Sequence, residues 1–135
     1  MISFIDAVKT CMTKKYATIT GRATRAEFWW FTLFVYLGVA LLVTIGVLLG
    51  QNDVNVFFYF VAITVPIFYL SIIIPFFCVR IRRFHDAGYS GWYMLLGLIP
   101  YIGIGILLYY EIHSSDADNE YGPSPIQSTS TDEDL

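Results

Sequence analysis

FWWFTLFVYLGVALLVTIGVLLG, from Phe28 to Gly50, carries no charged residue. Its 23 residues would form a helix about 35 Å long, against a bilayer hydrocarbon core of about 30 Å. The stretch is too long for the apolar region of a secretory signal, and no small-residue cleavage site follows it. It therefore reads as a membrane span kept in the mature chain. The whole chain agrees: of its 135 residues 56% are apolar, 18% aromatic and only 14% charged, where soluble domains carry about 25% charged residues. That balance excludes a disordered chain and a conventional soluble core.

Working outward, Gly50 stands where a helix stop is expected and Gln51–Asp53 forms a polar break. Residues 54–79 are again uncharged, long enough for a second span, so a tight helical hairpin is expected. Pro66 and Pro75 lie within it, each removing a backbone donor, with Thr64 and Ser71 available to satisfy the freed groups. Residues 92–110, WYMLLGLIPYIGIGILLYY, form a third apolar run. A full crossing is expected there, because lipid-exposed irregular backbone is costly; the alternative is a re-entrant hairpin broken at Pro100, Gly103 and Gly105. Trp29 and Trp30, Phe57 to Tyr59, and Trp92 with Tyr109 and Tyr110 sit near the span ends, as interfacial aromatic rings prefer.

Charge is segregated along the chain, so the formal net value of −3 conceals the pattern. Lys9, Lys14, Lys15, Arg22 and Arg25 against Asp6 and Glu27 make the N-terminal segment +3, and Arg80, Arg82 and Arg83 against Asp86 make a second segment +2. Two spans separate these segments, which places them on one face, and the positive-inside rule makes that face cytoplasmic with the N-terminus. Asp53 leaves the hairpin at −1, and the stretch after Tyr110 holds seven acids and no base. With three crossings that acidic tail would lie on the far side; with re-entry it would stay inside. Residues 126–135 are expected to be disordered.

Three domains of organisation follow: residues 1–20, a cytoplasmic or interfacial helix; 21–125, the membrane domain; and 126–135, the tail. Ile2, Ile5, Val8, Met12 and Tyr16 recur at helical spacing with the lysines mostly elsewhere, which reads as a short amphipathic helix lying on headgroups or packing on protein. Ser3 with Asp6, and Thr24 with Glu27, have capping-box spacing. Arg22, Arg25, Arg80, Arg82, Arg83 and His85 are the candidate binding residues for anionic headgroups or an acidic partner, since guanidinium forks hold phosphate and carboxylate bidentately. Glu27 and Asp86 are the candidate orienting acids. Asp86 can pair with Arg82, Arg83 or an arginine of the first segment, and a closed ion-pair cluster is the purely structural alternative.

GRATRAEFWW (21–30), RRFHDAGYSGW (82–92) and NEYGPSP (119–125) together resemble the domain of unknown function 805 family, the YhaH-like bacterial inner-membrane proteins. The resemblance runs from about Tyr16 to Pro125. It implies shared roles for Gly21, Arg22, Arg25, Glu27, Trp29, Trp30, Arg82, Arg83, His85, Asp86, Gly91, Trp92, Gly122, Pro123 and Pro125, and a place in the inner membrane. Glu120 and Ser124 depart from the family pattern, which usually has Arg and Asp there. The family has no established common activity, so the resemblance implies location and class rather than chemistry.

The sequence is thus read as an all-α integral membrane protein with three transmembrane helices, the third with re-entry as its alternative, preceded by a short amphipathic helix. No catalytic, metal or cofactor role is expected: His85 and His113 lie in separate segments, and Cys11 and Cys78 match no zinc or redox spacing. An Arg/His/Asp site acting on lipid phosphate is the only enzymatic alternative. The expected function is lipid or protein interaction, scaffolding the cell envelope through an arginine-rich cytoplasmic face. Expected partners are anionic lipid and a membrane or cytoplasmic protein, not nucleic acid. The alternative is an oligomeric small-solute transporter or channel subunit, with Gly46 and Gly50 as a GxxxG contact between copies.

Overall fold

A computed structural model describes residues 2–125 of the chain. Its regular elements are helical: α1 (Phe4–Lys9), which continues into a π-helical turn (Thr10–Lys14); α2 (Arg25–Leu49); α3 (Val54–Asp86); a 3-10 helix (Gly91–Leu98); and α4 (Ile102–Ile112). No strand is formed among the described residues, and only an isolated bridge joins Asn119 to Gly122. Two helices, α2 and α3, are long and apolar enough to cross a membrane, and α4 is a shorter apolar one. The expected disordered tail, 126–135, lies outside the described residues.

The hairpin of α2 and α3 is built on glycine. A methyl group at Gly50 would lie 2.5 Å from Phe57 Cβ, and one at Gly46 would lie 2.9 Å from Val61 Cγ2. Both glycines therefore face α3 of their own chain. The GxxxG contact expected between copies is occupied inside the hairpin instead.

α3 runs through Pro66 and Pro75 as one 33-residue helix. Pro75 deprives the Ser71 carbonyl of its helical donor. That carbonyl accepts a 2.7 Å hydrogen bond from the Tyr16 hydroxyl, delivered from outside the helix. The hydroxyls of Thr64 and Ser71, expected to rescue the freed groups, bond back to the Phe60 and Ile67 carbonyls at 2.8 and 2.9 Å.

The third apolar run is not one helix. The 3-10 helix ends at Leu98, the chain turns through Pro100 and through Tyr101 with φ +63°, and α4 starts at Ile102. The two arms fold against each other: a methyl at Gly97 would lie 2.5 Å from Leu107 Cδ1, and one at Gly103 would collide with the Leu96 carbonyl oxygen. Their far ends meet beside the end of α3, where the Tyr110 ring lies 5.6 Å from Tyr93, 4.4 Å from Tyr89 and 5.8 Å from Phe84. Trp92 and Tyr110, expected at opposite membrane boundaries, therefore share one end. Each arm is about 16 Å long.

At the N-terminus, Ser3 caps α1 by accepting from Asp6 N at 3.2 Å, and its hydroxyl donates to the Asp6 carboxylate at 2.6 Å. Ala7 and Cys11 are buried, and the Phe4 ring meets Trp30 edge-on at 5.8 Å. One side of this helix thus packs on the start of α2, while Ile5 is 73% exposed. The core gathers Cys11, Ala23, Phe28, Phe31, Val35, Ile72 and Val79, all at the end where α2 begins and α3 finishes. The site lies at that end.

Candidate functional site

Antiparallel packing brings the entry to α2 against the last turns of α3, and Ala23 N donates to the Arg82 carbonyl at 3.0 Å. Asp86, fully buried, stands at the centre. One of its oxygens accepts from Arg22 Nε at 2.9 Å; the other accepts from Arg83 Nη1 at 2.6 Å and from the Ser115 hydroxyl. A buried carboxylate is costly unless its oxygens are hydrogen-bonded, and these three donors engage both of them. The i, i+3 pairing with Arg83 and the long-range one with Arg22 are two of the partners the sequence allows.

Arg22 is held on every side. Its Nη1 donates to the carbonyls of Ala117 and Gly122 at 2.8 and 3.1 Å, and its Nη2 donates to those of Asp86 and Asp116. Arg83 Nε reaches the Glu111 carbonyl at 3.0 Å, and its Nη2 reaches that of His113. The chain after α4 is thereby wrapped around two guanidinium groups, with Asp116 N donating to the Asp86 carbonyl at 2.8 Å. Positive φ at Gly21, Gly88 and Gly122 supports the turns this needs. At Gly88 a side chain would also meet the Asp116 carboxylate at 2.7 Å.

A second group forms around Glu27. Thr24 Oγ1 accepts from Glu27 N at 3.1 Å, as the capping spacing predicts. The Glu27 carboxylate does not complete the box; it takes Arg82 Nη1 at 2.6 Å and the Cys11 thiol at 3.6 Å. A buried arginine outcompetes the helix's own N–H because an uncompensated charge costs more than a missing cap. Burial, reinforced by the Glu27 carboxylate, pushes the Cys11 thiol up to about 12. Arg82 Nε is buried with no partner among the described residues. Arg80 pairs with Glu111, and its guanidinium carbon lies 5.4 Å from the centre of the Phe76 ring.

His85 turns away from Asp86, as adjacent residues on a helix must. Its Nδ1 lies 3.3 Å from the Gly21 carbonyl oxygen, and its ring stacks on Tyr121 at 4.0 Å. Of the candidate binding residues, Arg22, Arg82 and Arg83 are buried in internal pairs, Arg80 and His85 are partly covered, and Arg25 is exposed. Lys9 and Lys14 are exposed as well. Glu111 and Ser115, which the charge pattern places in an acidic tail, are members of the site. The signal was Glu111 itself, an isolated acid closing an apolar run.

The fold of the chain after α4 also changes the charge pattern. Glu111, Asp116, Asp118 and Glu120 return to the end that carries all eight Lys and Arg residues. With Asp6, Glu27 and Asp86 included, the described residues at that end carry a formal charge of +1, where the two basic segments alone give +5. Among the described residues no three His, Cys, Asp or Glu side chains converge as a metal site requires.

Comparison with known proteins adds the following. The family described as "Protein of unknown function (DUF805)" matches residues 16–123. The inner membrane protein YhaH of Escherichia coli K12 is 31% identical over 113 residues, covering 83% of this chain and 90% of its own length. The inner membrane protein YhaI of the same strain is 30% identical over 113 residues, covering 83% of this chain and 89% of its own. No solved structure matches at a significant level.

Proposed function

The chain belongs to the DUF805 family and is a membrane protein, and from that premise we propose that it organises anionic lipid at the cytoplasmic surface of the bacterial inner membrane. Two helices, α2 and α3, cross the bilayer. The Trp92–Tyr110 hairpin enters from the cytoplasmic side, and its arms of about 16 Å reach half of a core about 30 Å thick. Both the N-terminus and the segment through Pro125 are cytoplasmic, in keeping with the location of every Lys and Arg.

The observation that carries the reading is the division of the basic residues by exposure. Arg22, Arg82 and Arg83 are committed to Asp86, Glu27 and backbone carbonyls, and make the cytoplasmic end rigid. Lys9, Lys14 and Arg25 are exposed, and no acid lies within ion-pair distance of them among the described residues. Lys15 is half-buried beside them. Each basic residue near an anionic surface contributes about 1 kcal/mol, so these four supply up to about 4 kcal/mol. The buried arginines position the surface and the exposed cations contact it.

The test is reconstitution in vesicles of mixed phosphatidylglycerol and phosphatidylcholine, with spin-labelled lipid reporting the first shell. Wild-type protein is expected to enrich phosphatidylglycerol at low salt and to lose part of that enrichment at high salt. Replacing Lys9, Lys14, Lys15 and Arg25 by Gln should abolish the salt-sensitive part. Equal shells for wild type and variant at low salt would refute the reading.

A further inference from the structure

Between α2 and α3, on the membrane side of Arg80, lies an apolar groove of about 400 Å³. Val35 and Ile72 form its buried floor, Phe76 flanks them, and Tyr36 and Tyr69 stand exposed along it. Arg80 lies eleven positions after Tyr69 in α3, which is about 16 Å of helix and one leaflet's share of the hydrocarbon core. Its length suits one acyl chain.

Arg80 stands at its mouth. The Nε is tied to Glu111 and the guanidinium lies over the Phe76 ring, so the group is held in place. Its side chain keeps 23% exposure, and Nη1 and Nη2 make no hydrogen bond to the described residues. A fixed guanidinium with two open donors fits phosphate oxygens. The paired groups around it, Arg22, Arg80 and Arg83 with Asp86 and Glu111, retain one positive charge, which favours an anionic lipid over a zwitterionic one.

We propose that this groove is a phospholipid site: one acyl chain of an anionic lipid of the cytoplasmic leaflet lies along Ile72 and Phe76, and its phosphate is bound by Arg80. The inference rests on the lipid-organising reading above, but it concerns a single retained molecule at a different place from the exposed lysines.

The test uses full-length protein in detergent with palmitoyl-oleoyl phosphatidylglycerol or the matching phosphatidylcholine added, and native mass spectrometry to count retained lipid and rank affinity. Wild type is expected to retain one phosphatidylglycerol, roughly tenfold more tightly than phosphatidylcholine. Ile73→Trp, which fills the groove without touching the Arg80–Glu111 pair, should lose both lipids. Arg80→Gln with Glu111→Gln, which leaves no buried unpaired charge, should lose only the preference. Circular dichroism checks that each variant is folded. Retention by both variants equal to wild type would overturn the site, as would equal retention of the two lipids by wild type. Replacing Lys9, Lys14 and Lys15 by Gln should leave the retained molecule in place; if only that variant loses it, the groove is refuted while the surface reading stands.

Discussion

The Tyr16 hydroxyl donates at 2.7 Å to the Ser71 carbonyl, the acceptor that Pro75 leaves without its helical donor. A residue from the N-terminal segment thus repairs a defect inside the longest helix. Tyr16→Phe leaves that carbonyl unpaired and is expected to cost about 1–3 kcal/mol. In a Pro75→Ala background the helix supplies its own N–H, so the same change should cost much less. Unfolding in mixed micelles, run as a double-mutant cycle, measures the difference; equal costs in the two backgrounds would show that the bond does not repair the proline.

Asp86 balances two buried arginines, so Asp86→Asn should leave Arg22 and Arg83 without their carboxylate. The expected loss is about 3–5 kcal/mol. It should come with release of the segment after α4, because that segment is held by Arg22, Arg83 and the Asp86 backbone and carboxylate. Limited proteolysis should show new cuts within residues 114–122 of the variant, at protease levels that leave the wild type intact.

Cys11 is sealed beneath Glu27 and Arg82. Its rise from an ordinary value of 9.0 to about 12 reduces the thiolate present at pH 8 by about a thousandfold. In a Cys78→Ala variant, maleimide labelling at pH 8 should be negligible in the folded protein and complete after denaturation. The sign for stability follows from the raised value: the neutral thiol's contribution is fully present below 9.0 and is lost as pH climbs toward about 12. A Cys11→Ala variant should show a flatter stability profile over that alkaline range.

Two glycines separate close packing from helix propensity. A methyl at Gly50 would press on Phe57 Cβ and on the Phe57 backbone N at 3.0 Å, whereas nothing lies within 4 Å of one at Gly105. Gly50→Ala should destabilise the protein by about 1–3 kcal/mol. Gly105→Ala, in the exposed middle of α4, should be neutral or stabilising by up to about 1 kcal/mol. Thermal unfolding in one detergent compares the two directly.

Much of the fold was legible because uncharged runs and polar breaks are local signals. Residues 28–50 and 54–79, the Gly50 stop, the Ser3 and Thr24 caps and the opposite headings of His85 and Asp86 can all be read from neighbouring letters. The third run was not, because periodicity and hydropathy do not register whether Gly97 and Gly103 bring two arms together. Its outcome depended on packing against Phe84 and Tyr89, which lie outside the run. The site was half legible in the same sense. Charge counting located the arginines, but it could not tell an exposed guanidinium from one enclosed by backbone carbonyls of residues 111–122. Nor could it show that Glu27 would leave its capping role for Arg82, since both partners suit a carboxylate and only the tertiary fold chooses.

The Trp92–Tyr110 hairpin is expected to return to the side from which it entered, so that the N-terminus and residues 111–125 share the cytoplasmic face. With Cys11 and Cys78 replaced by Ala, single cysteines at Asn52 and Ala117, both exposed, can be treated in spheroplasts with a membrane-impermeant maleimide. Asn52→Cys should be labelled at once and Ala117→Cys only after the membrane is permeabilised. Labelling of Ala117→Cys in intact spheroplasts would contradict it and restore a third crossing.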